Sequence, residues 1–337
     1  WRHGITPLVA RQLARPAVAS FVPPIILQKL RAQFDENALR NLMLARQLIE
    51  AVGALESAGI PAIPIKGPVL AVSAYGDLSL RQFGDLDVVV ARRDFARARA
   101  ALATHGFEPA MSLAPGPDAA FLGADYHIPL VSQHAGVSLE LHWALARAGW
   151  GALRDERWPW RHARHVRLLG RDVTALSAEP LLVYLCAHAS KHLWANIRWV
   201  CDVTAVVHSE PQLDWDVAAS LARRTGADRM LALGLELARG LLGLAADTGL
   251  APADGSVRVL ARAVCEGLWI DKRRSIRDVV AFQCRVRSRP TDVIAYCLNL
   301  ATAPQPTDLD AVVLPRGLRA LYYLLRPIRL ARKYARP

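Results

Sequence analysis

Between Asp35 and Ala58 apolar residues return every three or four positions, at Leu39, Leu42, Ala45, Leu48, Ile49, Val52 and Leu55. That spacing predicts a helix with one buried face, and Gly59 is placed to end it. Upstream, Trp1 to about Pro24 carries a proline-interrupted apolar pattern that reads as one or two short helices. After Gly59 the period shortens. Pro61–Ile65 is a β-prone run stopped by Gly67, and Leu86-Asp87-Val88-Val89-Val90, headed by Asp85, is a second. Between them Pro68 suits the first turn of a helix to Tyr75, Gly76-Asp77 turns the chain, and residues 78–84 form a loop. Asp94 is read as the cap of a helix over Phe95–Thr104, followed by a strand over Phe107–Met111 and a loop over Ala114–Gly123. Tyr126–Ser132 and Val137–His142 flank Gln133–Gly136 as a hairpin, and His165–Leu169 with Val173–Leu176 forms another. A Trp-rich connector containing Trp158 and Trp160 precedes that second hairpin.

From Ala178 the pattern turns helical. Glu179-Pro180 opens a helix through Leu181, Leu185, Ala189 and His192, and further helices are expected over Ile197–His208, Asp214–Arg224, Asp228–Leu244, Val257–Trp269 and Thr291–Leu300. Ala303–Pro315 reads as a link and Leu318–Tyr334 as a basic amphipathic segment with a solvated face. The fold class is therefore α/β (α+β), a mixed sheet with flanking helices and a helical C-terminal domain. The expected organisation is 1–58 for N-terminal helices packing on the sheet, 59–177 for the core, and 178–337 for the helical domain with its basic tail.

Composition changes this picture little. Of the 337 residues 53% are hydrophobic, yet the most apolar stretch, Met230–Leu250, is broken by Glu236, Arg239 and Asp247, so no transmembrane segment is expected and the location is read as cytoplasmic. Five cysteines, far apart and without C-x-x-C spacing, indicate neither a disulfide framework nor a zinc knuckle and are read as reduced core thiols. The formal charge of +12 comes from 42 Lys and Arg, only five of them Lys, spread along the chain and not clustered with aromatics. Nucleic acid is not the expected partner.

Candidate chemistry concentrates between Ile60 and Ala91. Asp85 and Asp87, two apart on a strand, point to one side and repel unless a cation sits between them, which raises magnesium. On Val137–His142, Ser138, Glu140 and His142 share the polar face, so Glu140 can join a carboxylate cluster from a neighbouring strand. Lys66 and Arg81 supply positive charge. His188 and His192 have i, i+4 spacing, but the H-E-x-x-H glutamate is missing, which argues against zinc; with Lys191 they are placed in or behind the cleft.

Taken together, Lys66-Gly67, Tyr75-Gly76-Asp77, Arg81, Gly84-Asp85-x-Asp87, Glu140-x-His142 and His188-x-x-Lys191-His192 resemble the uncharacterised bacterial nucleotidyltransferase family, a Lys-Gly variant of the nucleotidyltransferase fold. The motifs span about Leu48 to Asp202. The resemblance implies two Mg²⁺ ions, with Asp85 and Asp87 on both and Glu140 on the acceptor side. It implies an NTP as donor, with Lys66, Arg81 and the Gly67 amide on its phosphates, and a hydroxyl of a small molecule, peptide or protein as acceptor. Pro68 stands where classical members carry a serine. A silent nucleotide-binding protein that keeps the fold and an RNA-directed transferase are the alternatives.

Overall fold

The computed structural model describes residues 3–110, 126–146, 158–250, 253–269, 275–303 and 321–334. The expected loop over 114–123, the tip of the Phe107–Met111 strand and most of the 303–315 link lie outside them.

Two short helices, Thr6–Leu13 and Pro16–Ala19, lead into one long helix, Pro24–Ser57. This helix starts well before Asp35. Pro24, with its fixed φ and no N–H to satisfy, opens it, and the first turns expose Ile25 and Ile26, so no apolar stripe announces them. Its buried face keeps Ala45, Leu48, Val52 and Leu55 of the expected stripe and departs from it elsewhere. Leu39 is 71% exposed, whereas Asn37, Asn41, Leu44, Ala45, Leu48, Ala51, Val52 and Leu55 turn inward.

Five strands form one mixed sheet in the order β1-β2-β5-β4-β3: β1 Ala62–Pro64, β2 Asp85–Val90, β3 Phe107–Pro109, β4 His127–Ser132 and β5 Ser138–His142. The central pair, β2 and β5, is parallel and puts Asp87 opposite Glu140; β1 adds antiparallel to β2, and β4 antiparallel to β5. Strand alternation divides the faces. Leu86, Val88, Val90, Leu139 and Leu141 pack with Leu44, Leu48 and Leu55 of the long helix and Phe95 and Leu102 of the Phe95–Ala103 helix. Ile63, Ile65 and Val89 join the other core, built with Leu181, Leu182 and Leu185. Asp94 stands at the start of the Phe95–Ala103 helix but does not cap it, because its carboxylate pairs with Arg97 at 3.1 Å.

A second hairpin, β6 Ala163–Leu168 with β7 Arg171–Leu176, follows the one-turn helix Trp158–Arg161. The helical layer then begins with Ala178–Lys191 and Ile197–Ser209, and continues through Trp215–Thr225, Asp228–Leu242, Gly255–Trp269, Ile276–Arg285, Pro290–Thr302 and Tyr322–Tyr334. Ile276–Arg285 has no counterpart in the sequence reading. It is a short helix entered through a capping box between Ser275 and Asp278. Only Cys186 and Cys201 prove to be buried thiols; Cys265 and Cys284 are half-buried and Cys297 is exposed. Among the described residues no helix is long and apolar enough to cross a membrane.

Candidate active site

The site starts at the turn between β1 and the Gly67–Tyr75 helix. Gly67 adopts φ +58°, and a β-carbon there would stand 3.4 Å from the Asp85 carbonyl oxygen. Glycine thus lets the turn lie against the head of β2 in a conformation other residues avoid. Pro68 occupies the first turn of that helix. Lys66, just before it, reaches Asp87 with Nζ 3.1 Å from Oδ2, both side chains nearly enclosed at 11% and 2% exposure.

The β2–β5 register brings the next carboxylate alongside. His142 Nε2 lies 3.2 Å from Asp87 Oδ1 and 3.3 Å from Glu140 Oε2. Its Nε2–H is shared between two acceptors, while the buried Nδ1 has no partner among the described residues. His127 of β4 stacks on His142 at 5.0 Å and sits 3.5 Å from Glu140 Oε2. Ligand atoms of Asp87, Glu140 and His142 lie within 4.8 Å of one another. Asp85 is outside that group; it is exposed at the head of β2 and lines the same cleft.

Charge in this cluster is strongly coupled. Partial desolvation by the cleft walls raises the Asp85 pKa and the Asp87 charge adds to it, with Lys66 opposing. Burial works against Asp87 too, but Lys66 and the hydrogen bond from His142 hold that carboxylate far below the usual range. The His142 hydrogen bond lowers Glu140 against burial. His142 loses to burial yet gains more from its bonds to Asp87 and Glu140, and its pKa is raised. The imidazole Nε2–H between the two carboxylates offsets part of their mutual repulsion.

The facing wall is the Ala178–Lys191 helix, which presents Tyr184, Ala187, His188 and Lys191 at helical spacing to a cavity of about 420 Å³. The chain leaves this helix through Leu193 and Trp194, both at positive φ, a strained turn held by the fully buried Trp194 ring and its Nε1–H bond to Ser190 Oγ. His192 stacks on Trp199 at 5.4 Å. Burial, then Lys66 and His192, push the His188 pKa well down; burial, then Lys191 and Lys66, bring His192 to about 4. Lys191 donates to the Tyr126 hydroxyl and sits 4.8 Å over the ring of the same tyrosine.

Arg81 is anchored. Its Nε and Nη2 donate to Asp202 at 2.7 and 2.9 Å, Tyr75 donates to the same carboxylate at 2.7 Å, and Arg81 and Asp202 are 5% and 0% exposed. Asp202 belongs to the Ile197–Ser209 helix, so the pair ties the loop before β2 to the helical layer. Asn37 donates to the Ser79 carbonyl, Asn41 to those of Leu78 and Arg81, and Arg198 to that of Gln82, at 2.7–2.9 Å. The loop delivering Asp85 and Asp87 is gripped from both layers.

The family model described as uncharacterised nucleotidyltransferase matches residues 1–243. The chain belongs to that family. No curated protein matches it. Among solved structures, the antibiotic-resistance factor ANT(2'')-Ia in solution aligns at 14% identity and TM-score 0.38, over 52% of this chain and 88% of that one. ANT(2")-Ia in complex with adenylyl-2"-tobramycin aligns at 14% identity and TM-score 0.39, over 54% and 98%. An antigenic nucleotidyltransferase-like protein from Paracoccidioides brasiliensis aligns at 15% identity and TM-score 0.32, over 58% and 92%.

In this nucleotidyltransferase, then, Lys66, Gly67, Asp85, Asp87, Glu140, His142, His188, Lys191 and His192 line one cleft, with Arg81 at its edge holding Asp202. The oxygen donors of Asp87 and Glu140 suit a hard divalent cation, and Asp85 stands on the same rim. Tyr126, His127, Trp199 and the gripping residues Asn37, Asn41 and Arg198 escape the sequence reading. Only the asparagines left a signal there, two amides four apart inside an otherwise apolar helical face.

Proposed function

We propose that this nucleotidyltransferase moves a nucleoside monophosphate from a Mg²⁺-bound NTP to a hydroxyl of a small molecule, peptide or protein. The observation that carries the reading is the pairing of Asp87 with Glu140 across parallel strands, with Lys66 on the outer oxygen of Asp87. Asp87 and Glu140 would hold the metal, and Asp85 would complete the set from the head of β2. When bound, magnesium would supply Lewis acidity at the phosphorus and favour ionisation of the acceptor hydroxyl.

The chain's own groups would do the rest. Lys66 is close enough to Asp87 to turn its ammonium toward the phosphates once that carboxylate has another partner, and there it offsets charge building on the leaving pyrophosphate. The backbone at Gly67 and the start of the following helix offer N–H groups to the same anion. Pro68 provides no hydroxyl for the triphosphate, so Lys66 takes on that contact. Glu140, 30% exposed beside a nearly enclosed Asp87, is the carboxylate an acceptor hydroxyl can approach. Arg81 contributes by fixing the loop through Asp202.

Incubation with each α-³²P-labelled NTP, Mg²⁺ and candidate acceptors tests this, with Asp87→Asn alongside. Label moves to acceptor in the wild type and stops in the variant. Equal transfer by both proteins refutes the assignment.

A further inference from the structure

Away from the cleft, the Ile276–Arg285 and Pro290–Thr302 helices bring two free thiols together: Cys284 Sγ and Cys297 Sγ are 3.9 Å apart, in hydrogen-bond contact and not joined by a disulfide. A disulfide needs about 2.0 Å between sulfurs, so closure takes a modest approach of two short helices near the surface. The other three cysteines are differently placed. Cys186 and Cys201 are closed off from solvent, and burial raises both thiols, joined at Cys201 by Asp202, which brings it to about 12. Cys265 is half-buried and pairs with no other sulfur among the described residues.

The pair is also wired to the active-site wall. Gln283, next to Cys284, is buried and donates its amide to the Ser190 carbonyl at 2.9 Å and the Lys191 carbonyl at 3.2 Å, at the end of the helix that carries His188 and Lys191. Arg287 donates back to the Gln283 side chain at 2.8 Å and lies 4.2 Å over the Tyr296 ring, one residue before Cys297. Cys284 and Cys297 thus adjoin Gln283 and Tyr296, the two residues that Arg287 links across the helices.

We propose that Cys284 and Cys297 form a reversible dithiol–disulfide site whose closure staples these two helices and tightens Gln283 on the end of the active-site helix. A low-molecular-weight disulfide is the oxidant. The exposed Cys297 thiolate attacks one of its sulfurs, giving a mixed disulfide and expelling one thiolate. Cys284, having lost its proton to solvent, then attacks the Cys297 sulfur, forms the internal bond and expels the second. Two protein thiols are oxidised, the oxidant is reduced to two thiols, and no further electron carrier is needed. The site stands independently of the transfer chemistry.

The test uses the full chain, reduced, desalted and incubated with glutathione disulfide. The expected result is loss of two titratable thiols, a mass lower by two hydrogens, a cross-link between the peptides holding residues 284 and 297, and full reversal by dithiothreitol. Cys284→Ser should instead retain glutathione on Cys297, because the resolving thiol is gone. Amide exchange over residues 190–194 should slow in the oxidised wild type and stay unchanged in treated Cys297→Ser. Glutathione persisting on both cysteines of the wild type, or no thiol loss, overturns the site. A cross-link that leaves exchange at 190–194 unaltered overturns its coupling to the active-site helix.

Discussion

At the scale of single residues, the cleft is governed by which cation faces which carboxylate. Lys66 is the ammonium on Asp87, so Lys66→Met removes both the local neutralisation and the proposed phosphate contact. We expect kcat to fall by about 10²–10³, the usual cost of losing one preorganised charge partner of a transition state, and KM for the nucleotide to rise; steady-state kinetics at saturating acceptor reads both. Asp202 acts differently. Asp202→Asn leaves the Arg81 guanidinium buried against a neutral amide, and breaking such an enclosed pair costs roughly 3–5 kcal/mol. Arg81→Met with Asp202→Leu should recover part of that loss, because burying neither charge removes the desolvation cost of both while the Tyr75 hydroxyl still loses its acceptor. Urea denaturation of the three proteins measures the difference, and equal destabilisation in single and double variants would contradict it.

The same scale fixes a pH dependence. His192 is held to about 4 in the folded protein, first by burial and then by Lys191 and Lys66, below its ordinary value of 6.5. The unfolded chain therefore binds the proton more readily. Stability contributed by the neutral imidazole is complete above about 6.5 and is lost as pH falls toward 4. His192→Gln should flatten the rise in urea midpoint between pH 4.5 and 7 relative to wild type. An unchanged slope would show that the ring is not held neutral by its surroundings.

At the scale of elements, alternation was the most legible feature. Strands β2 and β5 lie within a residue or two of their sequence-based bounds because Leu86, Val88, Val90, Leu139 and Leu141 must share a buried face, and the same alternation put Asp85, Asp87 and Glu140 on the other. Pattern failed where burial and helicity part company. The first turns of Pro24–Ser57 expose their isoleucines, and Ile276–Arg285 is a short helix that buries only Phe282 and Gln283. Asn37 and Asn41 defeat an apolar template for the opposite reason, since they are buried through hydrogen bonds and not through hydrophobicity. Removing one is therefore expensive: Asn41→Ala orphans the Leu78 and Arg81 carbonyls, and we expect a loss of about 1–3 kcal/mol by denaturation. Asn41→Leu, which fills the space but restores neither bond, should do no better. His142 illustrates a further limit, because β-alternation placed it on the polar face whereas only the register shows it bridging two carboxylates.

Across the whole molecule, the cleft exists because the helical layer stands at a set distance from the sheet, and one glycine helps to set it. Gly234, in the Asp228–Leu242 helix, faces the active-site helix so closely that a β-carbon would lie 2.5 Å from Cys186 Sγ and 3.0 Å from the Trp194 ring. Trp194 is fully buried at the turn after Lys191, so the ring has little room to retreat. Gly234→Ala must push the Ala178–Lys191 helix or its turn, and overpacking of this kind costs roughly 1–3 kcal/mol despite the better helix propensity of alanine. The displaced helix carries His188 and Lys191, so nucleotide KM should rise with the loss of stability. Gly240, in the same helix but exposed, meets nothing within 4 Å, and Gly240→Ala should gain about 0.5–1 kcal/mol with unchanged kinetics. Opposite signs from two glycine-to-alanine changes six residues apart would show that interlayer spacing, and not helix propensity, shapes the cleft; equal effects would show the reverse.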